Sequence, residues 1–159
     1  MLFKFRTSFL GKCSLVHFFW GSFDLAVTRF SGRRAPLHRG GVPHLPDRVT
    51  REAYSHEVSS AGFWPGNDLV PYPAFYSYAY PEPDGFASAP VSPAETFYSD
   101  DLSEYILPYD AVAGAEDPER ALMEFLTSTY EAAASLGKWD RTALECPIGV
   151  PGTPRAVGS

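Results

Sequence analysis

One stretch of the chain, residues 15–32 (LVHFFWGSFDLAVTRFSG), restricts the possible folds more than any other. On both sides of the Gly21-Ser22 pair, large apolar residues recur at every second position. Period-two alternation around a Gly-Ser pair predicts a β-hairpin with a tight primed turn. A run this apolar is typical of the middle of a sheet that is covered on at least one face. The sequence therefore predicts an antiparallel β-sheet centred on a hairpin between Val16 and Phe30.

Several shorter segments after the hairpin also have the period of a β-strand. Residues Ala74–Tyr80 (AFYSYAY) alternate strictly, which places Tyr76, Tyr78 and Tyr80 on one face of a strand. Prolines on either side of this segment favour a position near the edge of the sheet. The other segments assigned from their pattern are strands at residues 54–58, 95–99 and 104–107 and an aromatic turn at residues 63–66.

A helix near the C-terminus has the clearest signals in the chain. Asp117 is a favourable N-cap, Pro118 suits the first helical position, and Gly137 ends the pattern. Between them, apolar residues recur at helical spacing, which predicts a helix over residues 118–136 with one buried face. Asp140 is placed to cap one further short turn.

Length and composition favour a single domain with a hydrophobic core. The chain has 159 residues, of which 45% are hydrophobic and 15% aromatic. We assign residues 1–145 to one α+β domain, in which the C-terminal helix packs on one face of the antiparallel sheet. Residues 2–10 fit either a strand or a helix, and the helix is favoured. Residues 32–47 are expected to form a loop, and the patternless residues 146–159 a disordered tail.

Cysteine usage and hydropathy bear on the location of the protein. Cys13 and Cys146 lie at opposite ends of the chain and form neither a metal-binding spacing nor a disulfide framework, which favours a reducing compartment. No segment has the length and hydropathy of a membrane span. The apolar N-terminal run is interrupted by Lys12 and His17 and lacks the cleavage site of a signal peptide. The sequence therefore predicts a soluble, cytoplasmic protein.

The net charge of −6 conceals an uneven distribution. Residues 1–51 contain nine Lys or Arg and two Asp, whereas residues 52–159 contain four basic and seventeen acidic residues. A basic N-terminal part is compatible with an anionic ligand or nucleic acid. The favoured interpretation is that two oppositely charged segments lie side by side in one domain. The overall acidity also argues against nucleic acid as a partner.

Three strings of the sequence are distinctive: GKCSLVHFFWGSFDLAVTRFSGRRAP, YSHEVSSAGFWPG and FYSYAYPEP. They resemble a bacterial family that is catalogued only as a domain of unknown function, DUF5996, and the resemblance extends over residues 1–145. It implies that a further segment precedes this part in family members, so that the chain is a C-terminal part of a longer protein. It also favours the helix at residues 2–10, and it implies no activity. Leu15 stands where the family pattern tends to have proline.

Four side chains are candidates for a catalytic pocket: His17, Asp24, His56 and Glu57. Imidazole and carboxylate groups suit zinc, iron or manganese, although no metal-binding motif contains these residues. His56 and Glu57 are neighbours on a predicted strand and point to opposite faces, so His56 would need a carboxylate from another element, such as Asp24. His17, if buried, also needs a partner, and Asp24 lies across the hairpin turn. The simpler interpretation is that both histidines are structural, and no metal ligand is assigned.

A second candidate is an aromatic pocket for ligand binding. Trp20, Trp64, Tyr76 and Tyr78 could stack on a ligand, and Arg29 could hold an anionic group. The competing interpretation is that these rings belong to the core, because aromatic residues at strand spacing are usually buried.

Two functional hypotheses follow from these observations. The favoured one is a non-catalytic domain that binds a small ligand or a partner, or that completes the core of a larger protein. The expected partner is then the missing N-terminal part of the same protein. The alternative is an enzyme, such as a metal-dependent hydrolase, whose pocket contains the His, Asp and Glu candidates. The sequence specifies no cofactor, and no interaction with membranes is expected.

Overall fold

Six antiparallel strands form one sheet in this computed structural model, which describes residues 1–41, 46–66 and 70–155. In chain order the strands are β1 (His17–Phe19), β2 (Asp24–Arg34), β3 (His56–Trp64), β4 (Ala74–Tyr80), β5 (Phe97–Ser99) and β6 (Glu104–Pro108). Their order across the sheet is β1-β2-β3-β4-β6-β5, and each neighbouring pair is antiparallel.

Within the described ranges, five α-helices accompany the sheet: α1 (Leu2–Arg6), α2 (Asp47–Ala53), α3 (Tyr109–Ala113), α4 (Pro118–Leu136) and α5 (Arg141–Leu144). Helix α4 has the predicted limits, and the Asp117 carboxylate accepts a hydrogen bond from the Arg120 backbone N–H at 3.0 Å. Asp140 caps α5 through the backbone N–H of Ala143 at 3.1 Å. The antiparallel sheet and its helices confirm the α+β class.

The predicted hairpin is present, but it lies at one end of the sheet. Phe18 pairs with Leu25, and Phe19 pairs with Asp24. Residues 20–23 connect the two strands in place of a two-residue primed turn, and Phe23 adopts a positive φ of 57°. Because β1 has only three residues and is the first strand in the sheet order, it forms an edge instead of the centre.

The middle of the sheet is formed by β3 and β4, which contain more small residues than the hairpin. Ser59, Ser60 and Ser77 are buried there. Small side chains allow a helix to approach the sheet closely on one face and leave room for aromatic rings on the other. Phe63 and Trp64, which the sequence pattern placed in a turn, are the last two residues of β3 because they pair with β4.

The two faces of the sheet have different coverings. On one face, α4 contributes Phe125 and Leu126 to the main core and packs against β3 and β4. On the other face, a smaller apolar cluster contains Ala26, Tyr76 and Ile106. Helix α4 does not cover this second face, which is called the open face below.

The segment between β2 and β3 only partly matches the predicted loop. Residues 32–34 extend β2, and Asp47–Ala53 form α2, which the hydropathy pattern did not reveal. Residues 42–45 of the predicted loop lie outside the described residues. Tyr54 follows α2 directly and lies over the open face, where its hydroxyl is 3.0 Å from that of Tyr78.

The N-terminal helix is shorter than expected, because α1 ends at Arg6. The chain after α5 lies beside this end of α1. The Cys146 backbone N–H donates to the Ser8 carbonyl at 3.1 Å, and the Gly149 N–H donates to the Thr7 hydroxyl at 2.8 Å. Residues 156–159 of the predicted tail lie outside the described residues.

Candidate functional site

A cleft on the open face brings together aromatic and acidic side chains from distant parts of the sequence. Its main cavity has a volume of about 510 Å³, and a neighbouring cavity of about 320 Å³ shares several of the lining residues. The walls come from the β1–β2 connection, from β2, β3, β4 and β6, and from the residue that follows α2. We call this space the tyrosine cleft, and its main side chains are Asp24, Tyr54, Trp64, Tyr76, Tyr78 and Glu104.

Asp24, the first residue of β2, is a buried carboxylate in this cleft, with 6% of its surface exposed. One oxygen accepts a hydrogen bond from the Ser22 hydroxyl at 2.5 Å, and the other accepts one from the Tyr76 hydroxyl. Burial and the Asp24 charge raise the pKa of Tyr76, so its hydroxyl stays protonated and remains a donor. Both oxygens of Asp24 are therefore hydrogen-bonded, but neither donor carries a charge.

Gly62 makes the contact between Tyr76 and Asp24 possible. Tyr76 lies on β4 and Asp24 on β2, so the phenol must cross the intervening strand β3. Gly62 is the β3 residue directly opposite Tyr76. A Cβ atom at position 62 would lie 2.7 Å from the Tyr76 hydroxyl oxygen and 2.5 Å from the Leu25 carbonyl oxygen, which is closer than packing allows.

Two further tyrosines complete the aromatic wall. The Tyr78 ring is stacked on the Tyr76 ring, with 6.2 Å between centroids and 15° between planes. The hydroxyl of Tyr78 is 3.0 Å from that of Tyr54. Burial raises the pKa of both Tyr54 and Tyr78, so these phenols are neutral at physiological pH.

Glu104, the first residue of β6, is the second acidic group of the cleft. Burial and, to a smaller extent, the charge of Asp24 raise the pKa of Glu104 from its ordinary 4.5 to about 7. In the described part of the chain, no hydrogen bond or ion pair reaches its carboxyl group. Glu104 therefore changes its charge near neutral pH, and none of the described residues donates a hydrogen bond to its charged form.

The structure does not bring the four candidate catalytic residues together. His17 pairs with Ala26, whereas His56 pairs with Arg34. These two positions on β2 are eight residues apart, which corresponds to roughly 26 Å along an extended strand. His17 is exposed at the edge of the sheet, and only Asp24 among the four lines the tyrosine cleft.

Glu57 points to the helical face, opposite to His56, as expected for neighbours on a strand. It pairs with Arg33 at 2.7 Å, and Arg33 also donates to the Gly137 carbonyl at the end of α4 at 2.5 Å. Residues 1–41, 46–66 and 70–155 contain no group of three or more His, Cys, Asp or Glu that could hold a metal ion. The four candidates, His17, Asp24, His56 and Glu57, therefore do not form the predicted pocket for a metal-dependent hydrolase.

Three of the five candidate ligand-binding residues meet in the cleft, namely Trp64, Tyr76 and Tyr78. Trp20 lies in the β1–β2 connection with 83% of its surface exposed. Arg29 is buried on the helical face of the sheet.

The surroundings of Arg29 are aromatic instead of acidic. Its guanidinium carbon lies 3.5 Å from the centre of the Phe5 ring and 4.3 Å from that of Tyr130. It donates hydrogen bonds to the Phe5 carbonyl at 2.5 Å and to the Ser8 hydroxyl at 2.9 Å. Burial lowers the pKa of Arg29 to about 10, so it stays charged at neutral pH. Arg29 thus connects α1 to the sheet and does not reach the cleft.

Sequence reasoning missed three important residues of this site: Tyr54, Gly62 and Glu104. A lone glycine inside a strand is a known sign of close approach by another group, so Gly62 could have been noticed. Glu104 was assigned to a strand, but its proximity to Asp24 depends on the order of strands in the sheet. No local pattern marks Tyr54 as part of a cleft.

The fold and site define a domain with one antiparallel sheet, a helix layer on one face and an aromatic, acidic cleft on the other. The chain belongs to a family of unknown function (DUF5996), whose sequence model matches residues 1–146. The match does not bear out the expectation that the chain is only a C-terminal part. Comparisons with curated proteins and with solved structures gave no significant match. Among the described residues, no helix is both long enough and apolar enough to cross a membrane.

Proposed function

We propose that this domain binds a small organic molecule in the tyrosine cleft. The observation that carries the proposal is the convergence of a buried carboxylate, Asp24, with five aromatic side chains around a cavity of about 510 Å³. Small-molecule sites typically combine apolar and aromatic walls with a few polar groups in fixed positions. The cleft has this composition, and its size suits a metabolite.

The positions of the polar groups support a site over simple packing. The main core lies on the opposite face, between α4 and the sheet, and it needs no contribution from Asp24 or Glu104. Two acidic side chains in a partly buried aromatic space destabilise the domain unless something compensates for them. A bound ligand is the simplest source of that compensation.

The proposal can be tested by a screen of metabolite-sized compounds against the full chain, observed by protein NMR. The indole N–H signal of Trp64, assigned with Trp64→Phe, reports on the cleft. We expect a hit to shift this signal, and we expect Leu102→Trp, which fills the cleft from its rim, to abolish binding. Leu136→Trp, at an exposed position of α4, is the matched control and leaves binding intact. Hits that bind equally well to the Leu102→Trp variant would overturn the proposal.

A second candidate function is acid–base catalysis without a metal. It is favoured by Glu104, whose pKa of about 7 suits proton transfer near neutral pH, in the same cleft as the charged Asp24. Each hit from the screen can be incubated with the protein and followed for chemical change by NMR. Turnover that Glu104→Gln eliminates, with binding retained, would support the enzyme. Unchanged ligand after prolonged incubation would support binding alone.

We also propose that the domain works in a reducing compartment such as the cytoplasm. Cys13 and Cys146 are both free thiols, which is what supports this location. Burial raises the pKa of Cys13, which makes this thiol less reactive. Alkylation of the denatured protein with a mass label, directly after lysis of the native host, measures the oxidation state. Oxidised cysteines in that assay would contradict the proposed location.

A further inference from the structure

We infer that the ligand of the tyrosine cleft is a small organic cation, either a protonated amine or a quaternary ammonium group. Its charged head faces Asp24 and Glu104, and its apolar part lies against the aromatic wall. This inference rests on the proposed function and adds the chemical class of the ligand. It rests on the charges of the lining residues, on the lack of a charged partner for either carboxyl group among the described residues, and on the aromatic side chains of the cleft.

The first argument is the imbalance of charge in the cleft. Of the described residues that line its two cavities, Asp24 and Glu104 are the charged ones, and no lysine, arginine or histidine is among them. Lys12 lies over the ring of Phe30, with its ammonium 4.7 Å from the ring centre. Phe30 is six residues along β2 from Asp24. Arg29 is on the other side of the sheet. An anionic ligand would therefore meet two acids and, among the described residues that line the two cavities, no cationic side chain.

The second argument is that no charged group among the described residues pairs with either acid. Asp24 accepts from Ser22 and Tyr76, and both donors are neutral hydroxyl groups. These bonds fix the orientation of the carboxylate without neutralising it. Glu104 has no hydrogen-bond donor in the described part of the chain. A buried carboxylate without a counter-charge favours an incoming positive group.

The third argument is the aromatic wall beside the acids. Tyr76 and Tyr78 are stacked, and Trp64 lines the same cavity. The faces of such rings carry negative partial charge and attract ammonium groups, with an energy that increases when the site is shielded from water. Carboxylates and aromatic faces thus favour the same sign of ligand charge. A neutral molecule of equal shape would benefit only from the apolar contact.

The test uses four probes that share one trimethyl-substituted body and differ in charge. They are choline and 3,3-dimethylbutylamine, which are cations, 3,3-dimethylbutan-1-ol, which is neutral, and 3,3-dimethylbutanoate, which is an anion. Each is titrated into the full chain at pH 7.5, with the Trp64 indole signal as the readout. We expect at least one cation to bind about tenfold or more tightly than the alcohol, since a factor of ten needs only about 1.4 kcal/mol. The two cations distinguish a quaternary ammonium from a protonated amine.

Variants show whether the acids cause this preference. We expect Glu104→Gln and Asp24→Asn each to weaken cation binding several-fold and to leave binding of the neutral alcohol unchanged. Glu57→Gln removes the same charge from the opposite face and should have no effect on either probe. If Asp24→Asn fails to fold, as judged by circular dichroism, Glu104→Gln alone decides the outcome.

Two results would overturn the inference. Binding of the alcohol or the carboxylate at least as tightly as both cations would show that charge does not select the ligand, although the proposed binding function would stand. Absence of binding by all four probes would also overturn it. In that case the wider screen with Leu102→Trp decides separately whether the cleft binds any small molecule.

Discussion

Gly62 and Tyr76 lie opposite each other on β3 and β4, and the missing side chain of Gly62 provides the space in which the Tyr76 phenol reaches Asp24 on β2. One hydrogen bond therefore spans three neighbouring strands. Because Asp24 also accepts from Ser22, the same carboxylate holds the connection between β1 and β2. The buried carboxylate of Asp24 thus fixes both the Tyr76 side chain in the cleft and the end of the hairpin at Ser22.

Gly62→Ala should destabilise the domain. The added Cβ would lie 2.5 Å from the Leu25 carbonyl oxygen, so the backbone or Tyr76 must move. We expect a loss of about 1–3 kcal/mol in the free energy of unfolding, measured by urea denaturation. Gly21→Ala is the matched control, because a Cβ at that position has no atom within 4 Å. Equal stability of the two variants would contradict the role assigned to Gly62.

Tyr76→Phe should lower stability because it removes one of the two donors to Asp24. A buried carboxylate that loses a donor costs about 1–3 kcal/mol. Chemical denaturation at pH 7.5 measures this loss. Tyr109→Phe removes a hydroxyl from an exposed tyrosine and serves as the control. Unfolding of both variants at the same urea concentration would show that the hydrogen bond from Tyr76 to Asp24 does not stabilise the domain.

Glu104 should make the domain less stable as the pH rises. Its pKa is about 7 in the folded state and about 4.5 in the unfolded chain, so the folded state binds more protons between these values. The free energy of unfolding therefore decreases as the pH rises from 4.5 to 7, by about 1–3 kcal/mol for this group. Urea denaturation at pH 5 and pH 8 measures the change.

Glu104→Gln is the variant that identifies the source of this dependence. It keeps the shape of the side chain and has no proton to lose. We expect it to be more stable than the natural protein at pH 8 and to show a smaller difference between pH 5 and pH 8. Identical pH dependence in the two proteins would assign the effect to other groups.

Choline binding should become tighter as the pH rises from 6 to 8. Choline keeps its charge throughout this range, whereas Glu104 becomes negative near pH 7. The tyrosines of the cleft stay neutral because burial raises the pKa of each. A carboxylate that is largely protonated at pH 6 reduces the affinity by up to about tenfold.

Calorimetric titrations at pH 6, 7 and 8 measure the effect of pH on choline binding. Glu104→Gln should remove the dependence. His38 stacks on Tyr54 at 4.9 Å between ring centroids and is the titratable neighbour to exclude. His38→Gln should therefore retain the dependence of the natural protein, and loss of the dependence in that variant would transfer the role from Glu104 to His38.

Arg29→Lys should reduce stability without affecting ligand binding. A lysine cannot reproduce the planar stacking on Phe5 together with the hydrogen bonds to the Phe5 carbonyl and the Ser8 hydroxyl. We expect a loss of about 1–3 kcal/mol in unfolding free energy, and unchanged choline affinity of the folded protein. Arg34→Lys, at an exposed position on the same strand, is the control. Weaker choline binding by Arg29→Lys alone would link Arg29 to the cleft.

Local chemistry was enough to predict α4 and the hairpin. Asp117, Pro118 and Gly137 mark the ends of the helix, and their effects act within one turn of chain. Alternation on either side of Gly21 predicts two strands that meet at a turn, because successive side chains of a strand point to opposite faces. The same alternation correctly placed Tyr76 and Tyr78 on one face of β4.

The order of the strands and the content of the cleft depend on contacts between distant residues. The hairpin is the most apolar stretch, yet it lies at one end of the sheet because the small residues of β3 and β4 fit better beneath α4. Asp24 and Glu104 meet in one cleft although 80 positions separate them in the sequence. Arg29 and Asp24, five residues apart on β2, face opposite sides of the sheet, as the alternation of side chains along a single strand already requires. The order and register of the strands, which no single segment specifies, are the physical reason why the position of the hairpin and the meeting of Asp24 with Glu104 depend on the tertiary structure.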